Sequence, residues 1–182
     1  MKIALIVPGG VDRSGRERVI PVLLALMERL ARRHHVLVIA LDQEPEPGRY
    51  PLLGATVVNI GQLRDVGRWQ RWRTRLERVM QALHDEGGRY DVLHALWVRG
   101  PGSLAVTAGR LLRVPVVVSV GGGELVWLPQ IGYGGAATRL GRREAGFVLR
   151  RARSGCKTAC NPRQGTTLVV PMEIGNRVGL SP

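Results

Sequence analysis

Short apolar runs alternate with stretches of helical periodicity along most of this chain. Lys2 to Val7 (KIALIV), Val36 to Leu41 (VLVIAL), Ala55 to Ile60, Tyr90 to Ala95 (YDVLHA) and Val114 to Val118 are brief and largely β-branched. Runs of that kind predict strands buried on both faces of a parallel sheet. Between them, Arg16 to Arg33 places Val19, Val22, Leu23, Leu26, Met27 and Leu30 at three-and-four spacing, which predicts a helix with one buried face. Ser14 stands as a candidate N-cap, and Pro21 fits a first turn, where a missing N–H costs little. Arg64 to Glu86, Pro101 to Arg113 and Thr138 to Arg153 read as three further helices, and the three prolines between Asp42 and Pro51 read as a surface loop. Strands alternating with helices predict an α/β fold: a Rossmann-like, doubly wound parallel sheet in a single domain.

Length and composition narrow the picture. The 182 residues suit one domain with a real core, and 45% apolar content is that of a globular protein. No apolar run reaches the roughly 18–20 residues of a membrane span. The apolar segment after Lys2 stops at Pro8-Gly9-Gly10, too soon for a signal peptide. A cytoplasmic location is the default expectation. The formal charge is +13, carried by 27 basic residues of which only Lys2 and Lys157 are lysines. A basic balance suits nucleic acid, but aromatic residues make up only 4% and no nucleic-acid motif is present, so nucleic acid is not the expected partner. Cys156 and Cys160 lack further His or Cys at zinc spacing, and no metal site is expected.

Candidate chemistry concentrates where strands end. Ser119 to Gly135 (SVGGGELVWLPQIGYGG) follows a buried strand and holds six glycines with one acid, Glu124. Glycines there let backbone amides approach a ligand, and ligands bind open α/β sheets at that end. Gly9 and Gly10 form either an anion cradle, with the following helix N-terminus behind it, or a plain turn. They do not make a G-x-G-x-x-G fingerprint, so a nicotinamide cofactor is not indicated. His94 ends a strand and either reaches the crevice or is a satisfied core imidazole. Glu124 either meets a ligand hydroxyl or caps loop amides. His34 and His35 sit at the opposite end of the sheet and read as structural. The Arg64–Arg78 segment sets six arginines, Arg68, Arg71 and Arg75 among them, beside a stripe holding Trp69 and Trp72. Such a helix either lies on anionic lipid or is ordinary, with its tryptophans in the core and its arginines solvated.

Three pieces, in order, carry a family resemblance. KIALIVPGG with RERVIPVLLALMERLARRHHVLVIAL, then YDVLHALW at Tyr90 to Trp97, then VPVVVSVGGGELVWLPQIGYGG together resemble the N-terminal, acceptor-side domain of GT-B glycosyltransferases of family 4, over about residues 1–153. The resemblance implies half of a GT-B fold. An intact relative would transfer a sugar from a nucleoside-diphosphate sugar to a hydroxyl acceptor, with retention, without metal and with no other cofactor. It further implies that Gly9, Gly10, Gly121, Gly122 and Gly123 form the donor-phosphate and acceptor loops, and that His94, Trp97, Glu124 and Tyr133 bind the acceptor. A sugar or lipid-linked hydroxyl compound is the implied acceptor, with Arg68, Arg71, Arg75, Trp69 and Trp72 facing a membrane surface.

The chain also departs from that family. Members often carry a histidine at the first position of the glycine loop, where this chain has Gly121, so no base or oxyanion role carries over. The donor-binding second domain has two glutamates separated by seven residues, and no pair here has that spacing. Composition changes abruptly after Arg153. Residues 154–182 read as an atypical tail, the mark of a frameshift or truncation or of a short subunit that docks on a separate donor-binding chain. The expectation is that this chain alone transfers no sugar; a non-catalytic acceptor- or membrane-binding subunit is the alternative.

Overall fold

The computed structural model describes residues 1–121, 123–151 and, in backbone, 168–172. The apolar runs form β1 (Lys2–Val7), β2 (His35–Ala40), β4 (Ala55–Asn59), β5 (Val92–Leu96) and β6 (Val116–Val120), all parallel to their neighbours among these five. Two further strands, β3 (Gly48–Leu52) and β7 (Leu168–Met172), pair antiparallel at the two edges. The order across the sheet is β3-β4-β2-β1-β5-β6-β7. The helices are α1 (Pro21–Ala31), α2 (Arg68–Asp85), α3 (Ser103–Leu112) and α4 (Arg139–Arg151). This is a Rossmann-like α/β domain.

Alternation along each strand sends side chains to two cores. Ala4, Ile6, Leu37, Ile39, Leu93, Ala95, Val116 and Val118 face α2, α3 and α4, while Ile3, Leu5, Val7, Val36 and Val38 face α1. Gly109 lets α3 settle onto β6: a Cβ there would lie 2.8 Å from the Val114 carbonyl. Along α2, Val79, Ala82 and Leu83 are buried, with Trp72, Leu76 and Met80 packed beside them.

Four local expectations need correction. The first helix begins at Pro21 rather than Arg16, because residues 11–20 make an excursion closed by a Val11–Val19 bridge. Ser14 caps no helix there. Its hydroxyl accepts from the Arg16 and Glu17 amides within a turn that Asp12 and Arg18 hold together. Val22, placed on the buried face by periodicity, is 70% exposed. The proline-rich loop contains β3, where Pro51 is tolerated because this strand is the sheet edge. Its anchor is Tyr50, which is buried and donates to the Val11 carbonyl at 2.7 Å. In the tail, Leu168–Met172 pairs with β6; Cys156, Cys160 and Val178 to Pro182 lie outside the described residues.

Candidate functional site

The strand order reverses between β1 and β5, since β2 lies on one side of β1 and β5 on the other. Open α/β sheets bind ligands in the crevice at such a switch point. Gly9 and Gly10 leave β1 there, and Trp97 to Gly102 leave β5. Gly10 needs its missing Cβ twice over: its φ is +79°, and a side chain would collide with Ile20. The Ile20 amide donates to the Gly10 carbonyl at 2.9 Å, which brings the start of α1 against the loop. Among the described residues the Gly9 and Gly10 amides have no hydrogen-bond acceptor, while the next amide, Val11, donates to Gln43 Oε1 at 2.9 Å. Pro21, the first residue of α1, has no N–H, and the Leu23 amide turns back to Ile20. The helix therefore contributes its dipole more than a ring of donors.

One residue beyond β5 the backbone is strained. Trp97 has φ +81° and ψ 144°, a region that side-chain-bearing residues avoid at a cost of about 1–3 kcal/mol. Its amide donates to the Ser119 carbonyl at 2.8 Å, and the next amide, Val98, donates to Glu124 Oε2 at 2.9 Å. Those bonds hold the turn. Glu124 thus uses one oxygen as a cap on a loop amide. Its other oxygen, Oε1, is buried with no partner among the described residues. Burial raises the proton affinity of this carboxyl above the ordinary range, offset in part by the Val98 amide and the Arg99 guanidinium. Around it lies a hollow of about 440 Å³ lined by Trp97, Arg99, Gly121, Gly123, Tyr133 and Gly134.

Glycines make that hollow. The Tyr133 hydroxyl occupies the space a Cβ on Gly123 would take, and a Cβ on Gly121 would lie 3.0 Å from Trp97 Nε1. The segment from Gly123 to Gly135 closes on itself through a Gly135-to-Gly123 backbone bond of 2.8 Å and a Leu128–Tyr133 bridge. It leaves Trp127, Leu128, Ile131 and Tyr133 exposed. Gly122 lies outside the described residues.

His94 is not in this group. It points from β5 to the α1 side of the sheet, half-buried, with Nε2 2.8 Å from Ser119 Oγ on β6. Burial pushes its pKa down to about 4, so the ring is neutral near pH 7. It ties two strands beneath the loops that hold Trp97 and Glu124.

On α2 the ordinary-helix reading fits Trp72, which packs against the core, and not Trp69. Trp69 is 74% exposed and stacks on Trp72, ring centroids 5.4 Å apart. Arg75 makes a two-pronged pair with Asp42 at the end of β2, and Arg71 donates to the Val66 carbonyl at 3.2 Å. Arg68 is exposed. Sequence reasoning missed Asp42, Arg99 and Glu144. Glu144 accepts from the Gly100 amide at 2.8 Å and the Ser103 hydroxyl at 3.0 Å, bracing the turn between β5 and α3 from α4. No sequence signal links residues 44 positions apart.

A second cleft, about 690 Å³, lies at the opposite end of the sheet among Lys2, Arg32, Arg33, His34 and His35. Its cations sit where helix C-termini converge, and there they answer the negative ends of the dipoles. His34 Nδ1 is buried there with no partner among the described residues. Among the described residues no cluster of His, Cys, Asp and Glu could hold a metal, and no helix is long and apolar enough to cross a membrane.

A mostly parallel sheet with a switch point and helices on both faces defines the Rossmann-like α/β class. The particular family follows from the sequence match: the family model described as "Glycosyl transferase 4-like domain" covers residues 19–156, about three quarters of the chain. The chain belongs to that family. No curated protein matches it.

Proposed function

We propose that this domain is the acceptor-side half of a retaining GT-B glycosyltransferase of family 4. In the assembled enzyme a nucleoside-diphosphate sugar would donate its glycosyl group to a hydroxyl held at Glu124. One observation carries the reading: a carboxylate oxygen buried without a partner among the described residues, on a side chain that lines a hollow at the end of the sheet where ligands bind. Such an oxygen is costly unless a ligand donor completes it. A sugar hydroxyl supplies that donor, and the Trp97 and Tyr133 rings supply apolar faces for a sugar ring. The free Gly9 and Gly10 amides suit the leaving pyrophosphate, whose charge the assembled site must stabilise. The donor's remaining contacts belong to a second domain or a separate donor-binding chain, so these residues alone transfer no sugar.

Ligand-observed NMR with a panel of glycosides tests this. Binding is expected to weaken about tenfold in Glu124→Gln and to persist in Arg32→Gln, at the far cleft. Equal binding by Glu124→Gln and the parent would remove Glu124 from the site.

A second reading, a non-catalytic subunit attached to a membrane or another chain, draws support from the exposure of Trp69 beside Arg68. It predicts retention on vesicles by a chain that binds no glycoside.

A further inference from the structure

The second cleft has a floor made of strand beginnings: Lys2 of β1, His35 to Leu37 of β2 and Thr56 of β4. On one side α1 ends at Ala31, and on another Glu86 follows the end of α2. Gly54, with φ +79°, brings the turn between β3 and β4 against α1: a Cβ there would lie 3.3 Å from the Ala31 Cβ. The hollow of about 690 Å³ falls within the roughly 300–1,000 Å³ range of small-molecule sites.

Charge in this cleft is not balanced from within. Three cations, Lys2, Arg32 and Arg33, and two imidazoles, His34 and His35, line it against one carboxylate, Glu86. That carboxylate is held from β3 by Arg49 at 3.0 Å, and Arg32 is held by Glu28, also at 3.0 Å. Lys2 gives one of its three N–H donors to the Glu86 carbonyl and keeps the others. Arg33 is exposed and has no ion-pair partner among the described residues. The C-terminal ends of α1 and α2 answer part of this, each with about half a negative charge. Set against Lys2 and Arg33, they leave a surplus of about one positive charge. His34 Nδ1 adds a buried polar atom without a partner among the described residues, which is costly until a ligand completes it.

The lining also says what the anion is attached to. No Phe, Tyr or Trp lines the cleft among the described residues, so a nucleobase finds no such ring to stack on. Only Ala31, Val36 and Leu37 offer apolar side chains, too little for a hydrocarbon tail. Donors from three separate residues suit the three terminal oxygens of a phosphate better than the two of a carboxylate.

We propose that this cleft is a second ligand site, for a small phosphorylated polyol of the sugar-phosphate class. Arg33 and Lys2 meet the phosphate, and His34 donates to it from Nδ1 in the tautomer that carries its proton there. The polyol hydroxyls meet Thr56 and the polar rim. The site lies at the end of the sheet opposite Glu124, takes no part in the transfer proposed above and stands or falls without it.

The test is an amide NMR titration of the 182-residue chain with glucose 6-phosphate. It is run at about 0.15 M salt, which screens loose ion pairing. Glucose and sulfate are the controls. Saturable shifts are expected at residues 31–37 and 54–56, with none from glucose and at least tenfold weaker binding of sulfate. Arg33→Gln, at an exposed position with no ion pair to lose, should weaken glucose 6-phosphate about fivefold or more. His34→Phe, which keeps a ring and removes its nitrogens, should do the same, and the amide spectrum verifies the fold of both variants. No saturable shift, shifts confined to Gly9 and Gly10, equal affinity for sulfate, or unchanged binding in either folded variant would each overturn the proposal.

Discussion

Acidification between pH 7 and pH 4 should weaken this domain through one side chain. His94 is partly buried between β5 and β6 with a single polar partner, Ser119 Oγ at 2.8 Å. Desolvation lowers its pKa from an ordinary 6.5 to about 4. In the unfolded chain the imidazole takes a proton near pH 6.5; in the folded domain it resists until about pH 4. Its contribution is therefore complete above pH 6.5 and is lost as pH falls toward 4, because the unfolded state binds more protons throughout that window. Each tenfold difference in proton affinity is worth about 1.4 kcal/mol. The gap thus sets the loss at roughly 3 kcal/mol, a large share of the 5–15 kcal/mol typical of a domain. The assay is urea unfolding at pH 7.0 and pH 4.5, on the parent and on His94→Gln. Glutamine keeps an uncharged hydrogen-bonding group beside Ser119 and cannot titrate. The parent should lose about 2–3 kcal/mol more than the variant across the interval, and NMR titration should place the His94 midpoint below pH 5. A midpoint near 6.5 with parallel profiles for the two proteins would refute the reasoning.

Three further outcomes are expected. Trp97→Gly should be more stable than Trp97→Ala by about 1–3 kcal/mol in denaturant melts, since only glycine adopts φ +81°, ψ 144° without strain; the reverse order would show the turn to be unstrained. Gly10→Ala should cost more than about 1 kcal/mol from its φ alone, and Ile20→Ala in the same chain should recover only the part due to the collision with that side chain. On anionic vesicles at low salt, Trp69→Ala and Arg68→Gln should reduce co-sedimentation severalfold more than Arg75→Gln, whose guanidinium is already held by Asp42; a larger loss from Arg75→Gln would contradict that ranking.

Much of the fold was legible because five strands and four helices announce themselves by period. The apolar runs of β1, β2 and β6 admit no other reading in a chain with intervening 3.6-residue stretches. The legible part ends where tertiary contacts override local pattern. Residues 16–20 carry helical spacing, yet a bridge between Val11 and Val19 and a positive φ at Arg18 hold them out of α1. β3 was hidden by its prolines, since only knowing that it forms the sheet edge makes Pro51 acceptable. Glu124 was picked out as the lone acid among glycines: one of its oxygens caps the Val98 amide, and the other is buried without a partner among the described residues. His94 reads from sequence as either a crevice residue or a satisfied core imidazole, and its Nε2 is held by Ser119 Oγ on the α1 side of the sheet. Contacts between elements far apart in sequence stayed hidden: the pairing of Arg75 with Asp42 spans 33 positions.

If these residues supply the acceptor half of a sugar-transfer site, they need a donor-binding partner. The direct measurement is transfer of label from nucleoside-diphosphate sugars to a panel of hydroxyl acceptors. It is made with the 182-residue chain alone and again with a donor-binding GT-B chain added. No turnover is expected from the chain alone and, wherever addition of the partner produces turnover, its loss by at least tenfold in Glu124→Gln. Robust transfer by the unaided chain would contradict the acceptor-half proposal.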